Sequence, residues 1–276
     1  YAAKGLCNDS VPLVITEHDG DVLNKRLSKS ELNQLRIAVN KSSKVICVSN
    51  VLKDSVIDLT KRDFVVVVPN AISPEFVYKK KSHADNDFTF ISVSRLYEIK
   101  RNRLLIDAFC MAFSEVPNVH LTIVGGGPQE RELKEHVESL SAQSKIKLTG
   151  YLNRTDIVNS LEEADAFVLA SASETFGVVY AEALACGIPV ISTLNGGAND
   201  IINKDNGILV SVDNAQELAM ALIEMKERAY QYDHKGISEE AISKYSAASV
   251  AAKLIEVYQD AIKNRNKLSH STATDQ

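Results

Sequence analysis

Residues 166–190 read AFVLASASETFGVVYAEALACGIPV. Ala166–Leu169 is a short, wholly apolar run of the kind that forms a strand buried on both faces. It ends near Ala170, and the polar loop Ser171-Ala-Ser-Glu174 follows. A helix is expected from Phe176 or Gly177, stopped by Gly187, with Pro189 opening the next strand. One strand, one helix and a second strand inside 25 residues make a βαβ unit, which is the repeat of a parallel sheet.

The same alternation extends in both directions. Strands are expected at Thr89–Val93, Val119–Val124, Lys145–Leu148, Pro189–Ser192 and Gly207–Val210. Between them, Leu104, Leu105, Ala108, Phe109 and Ala112 recur at helical spacing, as do Leu133, Val137 and Leu140 behind Pro128, and Leu218, Leu222 and Met225. The fold class is therefore α/β, a doubly wound, Rossmann-like parallel sheet with right-handed crossovers. Upstream, Val11–Thr16, Val45–Val48 and Phe64–Val68 read as strands, with helices near Lys29–Asn40 and Asn50–Leu59. Three strands suit only part of a second Rossmann-like domain. The organisation expected is part of a first domain over 1–78, a linker over 79–87, a main domain over 88–235, closing helices over 236–263 and a tail from 264 to 276. The sequence opens at Tyr1, not at Met, which leaves its true start open.

Composition narrows the classes further. With 276 residues, 45% hydrophobic and 24% charged, the chain suits an ordinary globular protein, not a coiled coil or a disordered segment. No apolar run approaches the roughly 20 residues of a membrane span. The net charge of −5 is uneven, at +4 over residues 1–84 and −9 over 85–276. The basic first part allows peripheral contact with an anionic membrane surface. Basic residues interleaved with aromatics are missing, so nucleic acid is not an expected partner. Cys7, Cys47, Cys110 and Cys186 have neither CxxC nor zinc spacing and read as small buried hydrophobes in a reducing cytoplasm.

Several clusters carry chemistry. Glu174 stands just ahead of a helix start at the C-terminal edge of a parallel strand, where open α/β sheets bind ligands. There the N–H groups of Phe176, Gly177 and Val178 lack helical partners and can face an anion or sugar oxygens. Glu182, among small and apolar neighbours, calls for a partner such as a ribose diol. From residue types alone, a capping role for Glu174 and a solvent-directed Glu182 stand equally open. In Ser92-Val-Ser-Arg-Leu-Tyr-Glu-Ile-Lys-Arg-Asn-Arg103, Arg95 and Lys100 could converge on a diphosphate or simply be solvated. Gly125-Gly126-Gly127-Pro128 lacks the third glycine of the dinucleotide fingerprint, because Glu130 stands there. It reads as a turn where ligand or backbone comes close. Thr16-Glu-His-Asp-Gly-Asp21 and Asp85-Asn86-Asp87 each contain an acidic pair that by letters alone suits a divalent cation.

In order along the chain, these segments resemble glycosyltransferase family 4, a group of retaining, nucleotide-sugar-dependent enzymes of the GT-B fold. Val93-Ser-Arg-Leu96 with Lys100 resembles the family's diphosphate clamp, Val124-Gly-Gly-Gly-Pro128 its glycine-proline loop, and Thr149-Gly-Tyr-Leu152 the stretch that meets the nucleobase. Glu174-x-Phe-Gly and Glu182-Ala-Leu-Ala carry the two spaced glutamates. The resemblance implies a hexosyl transfer from a nucleotide-diphosphate sugar to an acceptor hydroxyl, in bacterial-type polysaccharide or glycolipid synthesis. It implies that Arg95 and Lys100 neutralise the departing diphosphate, and that Glu174 and the backbone of Phe176, Gly177, Val178 and Val179 hold sugar and phosphate. Glu182 would hold the ribose, Gly127, Tyr151 and Leu152 would border the donor, and His18 would face the donor sugar. No metal and no cofactor besides the donor are implied, so Asp19 and Asp21 become neighbours of His18. Two departures stand out: Arg101 where the family often has glycine, and Asp200 where it has glutamate. The family's early glycine-rich loop and most of its acceptor contacts have no counterpart, so nucleotide binding is expected even where turnover is not. A non-catalytic nucleotide-sugar module, a truncated partner subunit and a GT-B sugar-nucleotide epimerase are the alternatives.

Overall fold

The computed structural model describes residues 11–80 and 87–271, with side chains to Asn264. Cys7, Lys81, Asp85 and Asn86 lie outside the described residues, as do most of the expected linker and the end of the tail. The chain divides into two compact units, Tyr1–Ala71 with Ala247–Gln276, and Ile72–Ser246.

In the first unit, β1 (Val14–Glu17), β2 (Lys44–Cys47) and β3 (Val65–Val67) form a parallel sheet in that order. A turn of helix, α1 (Gly20–Leu23), follows β1, and Asp19 caps it by accepting the Asp21 N–H at 2.7 Å. α2 (Lys29–Lys41) opens with Ser28 and Glu31 bonded to each other's backbone N–H. α3 (Asn50–Thr60) is capped by Ser49, whose Oγ accepts the Leu52 N–H. α10 (Ala247–Ser271) runs past the Lys263 at which the closing helices were expected to end. Its Val250, Leu254 and Val257 pack with Ile46, Val66 and Val68 of the sheet region.

The second unit holds β4 (Phe88–Val93), β5 (Val119–Val124), β6 (Ile146–Gly150), β7 (Ala166–Leu169), β8 (Val190–Thr193) and β9 (Gly207–Val210). All pairs are parallel, in the order β6-β5-β4-β7-β8-β9. The connecting helices are α4 (Asn102–Phe113), α5 (Glu130–Ser139), α6 (Arg154–Glu163), α7 (Val178–Ala185) and α8 (Ala215–Arg228), and α9 (His234–Tyr245) follows. The β-rich spacing and the helical stripes thus give the doubly wound α/β sheet expected. Phe90, Phe109 and Phe113 cluster with centroids 5.4–6.4 Å apart, Phe90 stacked on Phe113 and Phe109 edge-on to both. Each fully buried ring contributes roughly 1.5–3 kcal/mol of apolar transfer. Leu218, Leu222 and Met225 are buried in the same core, whereas Leu140 lies past the end of α5 and is exposed. Pro128, expected from the sequence at the first helical position, precedes α5 by two residues.

Candidate functional site

Strand order places the site. The chain winds outward from β4 through β5 to β6, then returns to the other side of β4 with β7 and winds outward again. The crossovers after β4 and β7 therefore leave in opposite directions, and a crevice opens between their C-terminal ends. The loop after β4 carries Arg95 and Lys100, and the loop after β7 carries Glu174.

These loops are tied together. The Ile99 carbonyl accepts the Ala172 N–H at 2.7 Å and the Ser171 hydroxyl at 3.2 Å. Lys100 Nζ then reaches Glu174 Oε1 at 2.5 Å, with both side chains largely buried. A third loop joins from β5: the Leu96 N–H donates to the Gly126 carbonyl at 3.0 Å, and the Gln129 N–H to the Leu96 carbonyl at 3.2 Å. At Gly127 a Cβ would fall 2.6 Å from the Leu96 oxygen. Glycine is thus required there by neighbouring backbone, one of the two readings of the triple-glycine turn. Arg95 is exposed, its guanidinium 5.3 Å from the centre of the Tyr97 ring. Tyr151 is 73% exposed, its ring lying against Gly126, and Leu152 beside it is half-buried.

The helix behind Glu174 starts without a side-chain cap. Gly177 stands at φ 81° ahead of α7, and a Cβ there would meet the Tyr180 ring at 2.4 Å. The helix begins at Val178, one or two residues later than expected. The N–H groups of Val178 and Val179 precede any acceptor in their own helix, so this end presents donors and the positive end of the helix dipole. Phe176 is buried, its ring 5.7 Å from that of Tyr245, so only its backbone can serve a ligand. Glu182, half-buried one turn on, has a carboxyl group with no hydrogen-bonding or ionic partner among the described residues. Burial raises its carboxyl to about 7, opposed by the more distant charge of Arg154.

Sequence reasoning missed the support beneath Glu174. Tyr180 is fully buried, and its hydroxyl meets Asn195 Nδ2 at 2.7 Å and Ser192 Oγ at 2.8 Å. Asn195 also accepts the Glu174 N–H on its carbonyl at 3.0 Å, and the Gly197 N–H donates to the Glu174 carbonyl at 2.8 Å. A tyrosine inside an apolar helical stretch, with an asparagine ahead of Gly196-Gly197, was the available signal. Arg101 has φ 54°, the conformation that favours glycine, and its Nε reaches Asp213 Oδ1 at 2.7 Å. In the other unit, His18 is exposed just past β1, and its N–H donates to Glu17 Oε1 at 2.8 Å.

The described residues contain no helix long and apolar enough to cross a membrane. Residues 75–245 match the family model described as glycosyl transferases group 1, and residues 1–76 match the model of glycosyltransferase family 4. The N-acetyl-alpha-D-glucosaminyl L-malate synthase of Bacillus anthracis is 25% identical over 96% of this chain and 72% of its own length. The alpha-monoglucosyldiacylglycerol synthase of Streptococcus pneumoniae is 30% identical over 80% of this chain and 53% of its own. The chain thus spans from about half to about three quarters of the length of these relatives. Among solved structures, Anabaena Alr3699/HepE in complex with UDP-glucose aligns with a TM-score of 0.75 at 26% identity, over 90% of this chain and 72% of that one. With its two parallel α/β units and a family match over residues 75–245, the protein belongs to the glycosyl transferases group 1 family and has the GT-B fold.

Proposed function

We propose that the protein transfers a hexose from a nucleotide-diphosphate sugar to the hydroxyl of a carbohydrate or glycolipid acceptor. The observation that carries this reading is the meeting of Lys100 and Glu174 at the switch point, beside an uncapped helix start. A diphosphate set there would face the ammonium of Lys100, the guanidinium of Arg95 and the N–H groups of Val178 and Val179. In the transfer, the bond between the sugar's anomeric carbon and the phosphate oxygen breaks, and a bond from that carbon to the acceptor oxygen forms. The diphosphate leaves with the electron pair, and the proton of the acceptor hydroxyl passes to an oxygen of the departing diphosphate. Cations and helix N–H groups stabilise the charge gathered on the leaving group, the task a metal performs elsewhere. Glu174 would hold sugar hydroxyls, and Glu182 the ribose diol.

The names of its relatives contain glucosyl and N-acetylglucosaminyl groups, and the solved relative holds UDP-glucose, which supports a UDP-hexose donor. Retention of configuration, His18 facing the donor sugar, and Tyr151, Leu152 and Gly127 bordering the donor belong to the same proposal. So do a cytoplasmic location and peripheral membrane contact through the basic first 84 residues. Calorimetry with UDP, GDP and ADP tests the donor site, and product analysis with UDP-glucose and candidate acceptors tests transfer. Saturable binding with acceptor-dependent transfer supports the proposal. Binding without transfer to any acceptor would assign the chain to a nucleotide-sugar-binding module. A sugar nucleotide altered without acceptor would assign it to an epimerase, and absence of nucleotide binding would end all three readings.

A further inference from the structure

The second unit also contains a cavity of about 370 Å³, a volume suited to a small organic molecule. It lies at the opposite edge of the six-stranded sheet from Lys100 and Glu174. Phe88, Asp165 and Ile188, which line it, stand at or just before the starts of β4, β7 and β8. Cys186 and Gly187, just past the end of α7, form another wall. The surface mixes aromatic rings from Tyr78, Phe88 and Tyr230 with the small apolar side chains of Ala164 and Ala229.

Counting donors and acceptors gives the charge of a ligand. Several of the acidic and carbonyl acceptors are engaged. Glu162 Oε1 is ion-paired with Lys79 Nζ at 2.7 Å without hydrogen-bond geometry, and Asp165 Oδ2 accepts the Thr89 N–H at 2.8 Å. Asp87 faces His120 at 3.6 Å. At the end of α7, the Ala185 carbonyl accepts from Ser238 Oγ and the Gly187 carbonyl from His234 Nδ1, at 2.5 and 2.7 Å. The donors are not so engaged. Lys226, half-buried, and Lys80 have no ion-pair partner among the described residues. An anion entering here meets the Lys226 ammonium, which has no ion-pair partner among the described residues, in a cavity whose walls carry the rings of Tyr78, Phe88 and Tyr230.

We propose that this cavity is a second ligand site, separate from the donor site, for a small organic anion with a flat apolar body. The pairing of an aromatic wall with Lys226 sets both requirements: the body gains burial and the anionic group gains a charge-assisted bond.

The probe is 8-anilinonaphthalene-1-sulfonate, an aromatic anion, titrated against the folded chain by fluorescence and calorimetry. One saturable site with micromolar affinity is expected. Lys226→Glu should weaken it at least tenfold, and Lys226→Arg should retain it within about threefold, because charge is kept. Ala229→Trp, which fills the cavity, should remove it, with the urea midpoint of each variant confirming the fold. Lys100→Ala, on the other edge, should leave probe binding unchanged. No saturable site, or equal affinity for wild type and Lys226→Glu, overturns the proposal. So does displacement of the probe by UDP together with weakening by Lys100→Ala, which would move the probe to the donor site.

Discussion

Lys100 Nζ and Glu174 Oε1 meet at 2.5 Å across the junction between the two halves of the main sheet. The ammonium proposed to receive the diphosphate is thus held by the carboxylate proposed to receive the sugar. A nucleotide diphosphate must draw Lys100 away from Glu174, and it brings no sugar to compensate the carboxylate. Glu174→Ala is therefore expected to tighten UDP binding by about fivefold, or about 1 kcal/mol. The same change should lower sugar transfer at least tenfold. Calorimetry with UDP and initial rates with the sugar donor separate the two effects, and weaker UDP binding in the variant would refute the exchange.

Glu182 gives a pH dependence with a defined sign. Its folded-state carboxyl lies near 7, above the ordinary value of 4.5, because burial penalises its charge. The folded protein therefore holds this proton while the unfolded chain has lost it, between about pH 4.5 and pH 7. The stability contributed by Glu182 is complete below that window and is lost as pH rises through about 7. The loss is on the order of 3 kcal/mol. Glu182→Gln should flatten it in urea titrations at pH 5 and pH 8.

Nucleotide binding should run the other way. A ribose diol donates to the carboxylate form, so UDP affinity should rise between pH 6 and pH 8. Binding at pH 7 should release a fraction of a proton, read from calorimetric enthalpies in buffers of different ionisation heat. Glu182→Gln should weaken UDP and abolish this release. An unchanged affinity in the variant removes the ribose contact.

The sequence made the strands and the switch point legible because both depend on local pattern: Phe88–Val93 and Ala166–Leu169 are apolar runs bounded by polar loops, and a loop after such a run falls at the sheet edge. Glu174 and Lys100 were visible for the same reason. Asn195 and Tyr180 were not. Their partnership is a contact 15 residues apart in sequence, and tyrosine in an apolar helix looks like packing until a buried amide is found at its hydroxyl. Nor did spacing reveal that the Ile99 carbonyl pins the loop containing Ser171, because that bond depends on β4 and β7 being neighbours.

The Tyr180–Asn195 pair yields a stability test. Tyr180→Phe removes the hydroxyl and leaves Asn195 Nδ2 with only longer contacts, to Ser192 and Thr193 at 3.3 Å. The expected cost is about 1–2 kcal/mol, the usual penalty for stranding a buried polar partner. Asn195→Ala should cost more and also lower kcat with the donor, since the Glu174 loop hangs on this turn. The double variant should be less destabilised than the two single effects combined, because neither partner is then left stranded. Chemical denaturation of all four proteins reads the coupling, and additive effects would show the hydrogen bond to be energetically silent.

Arg101 answers a different question: how a chain tolerates arginine where its family often carries glycine. Its backbone stands at φ 54°, in a region costly for a side chain, while its guanidinium bonds Asp213 and Glu98. Arg101→Gly relieves the backbone but loses the ion pair, which is partly exposed and so worth little, about 0–1 kcal/mol. Glycine is also freer in the unfolded chain, a further small cost. These terms nearly cancel, and the glycine variant should stay within about 1 kcal/mol of wild type. Arg101→Val keeps the backbone cost, adds β-branching and loses the pair, so it should be less stable than the glycine variant by about 1–2 kcal/mol. Urea midpoints of the two variants decide the matter. If glycine proves as damaging as valine, the ion pair outweighs the backbone.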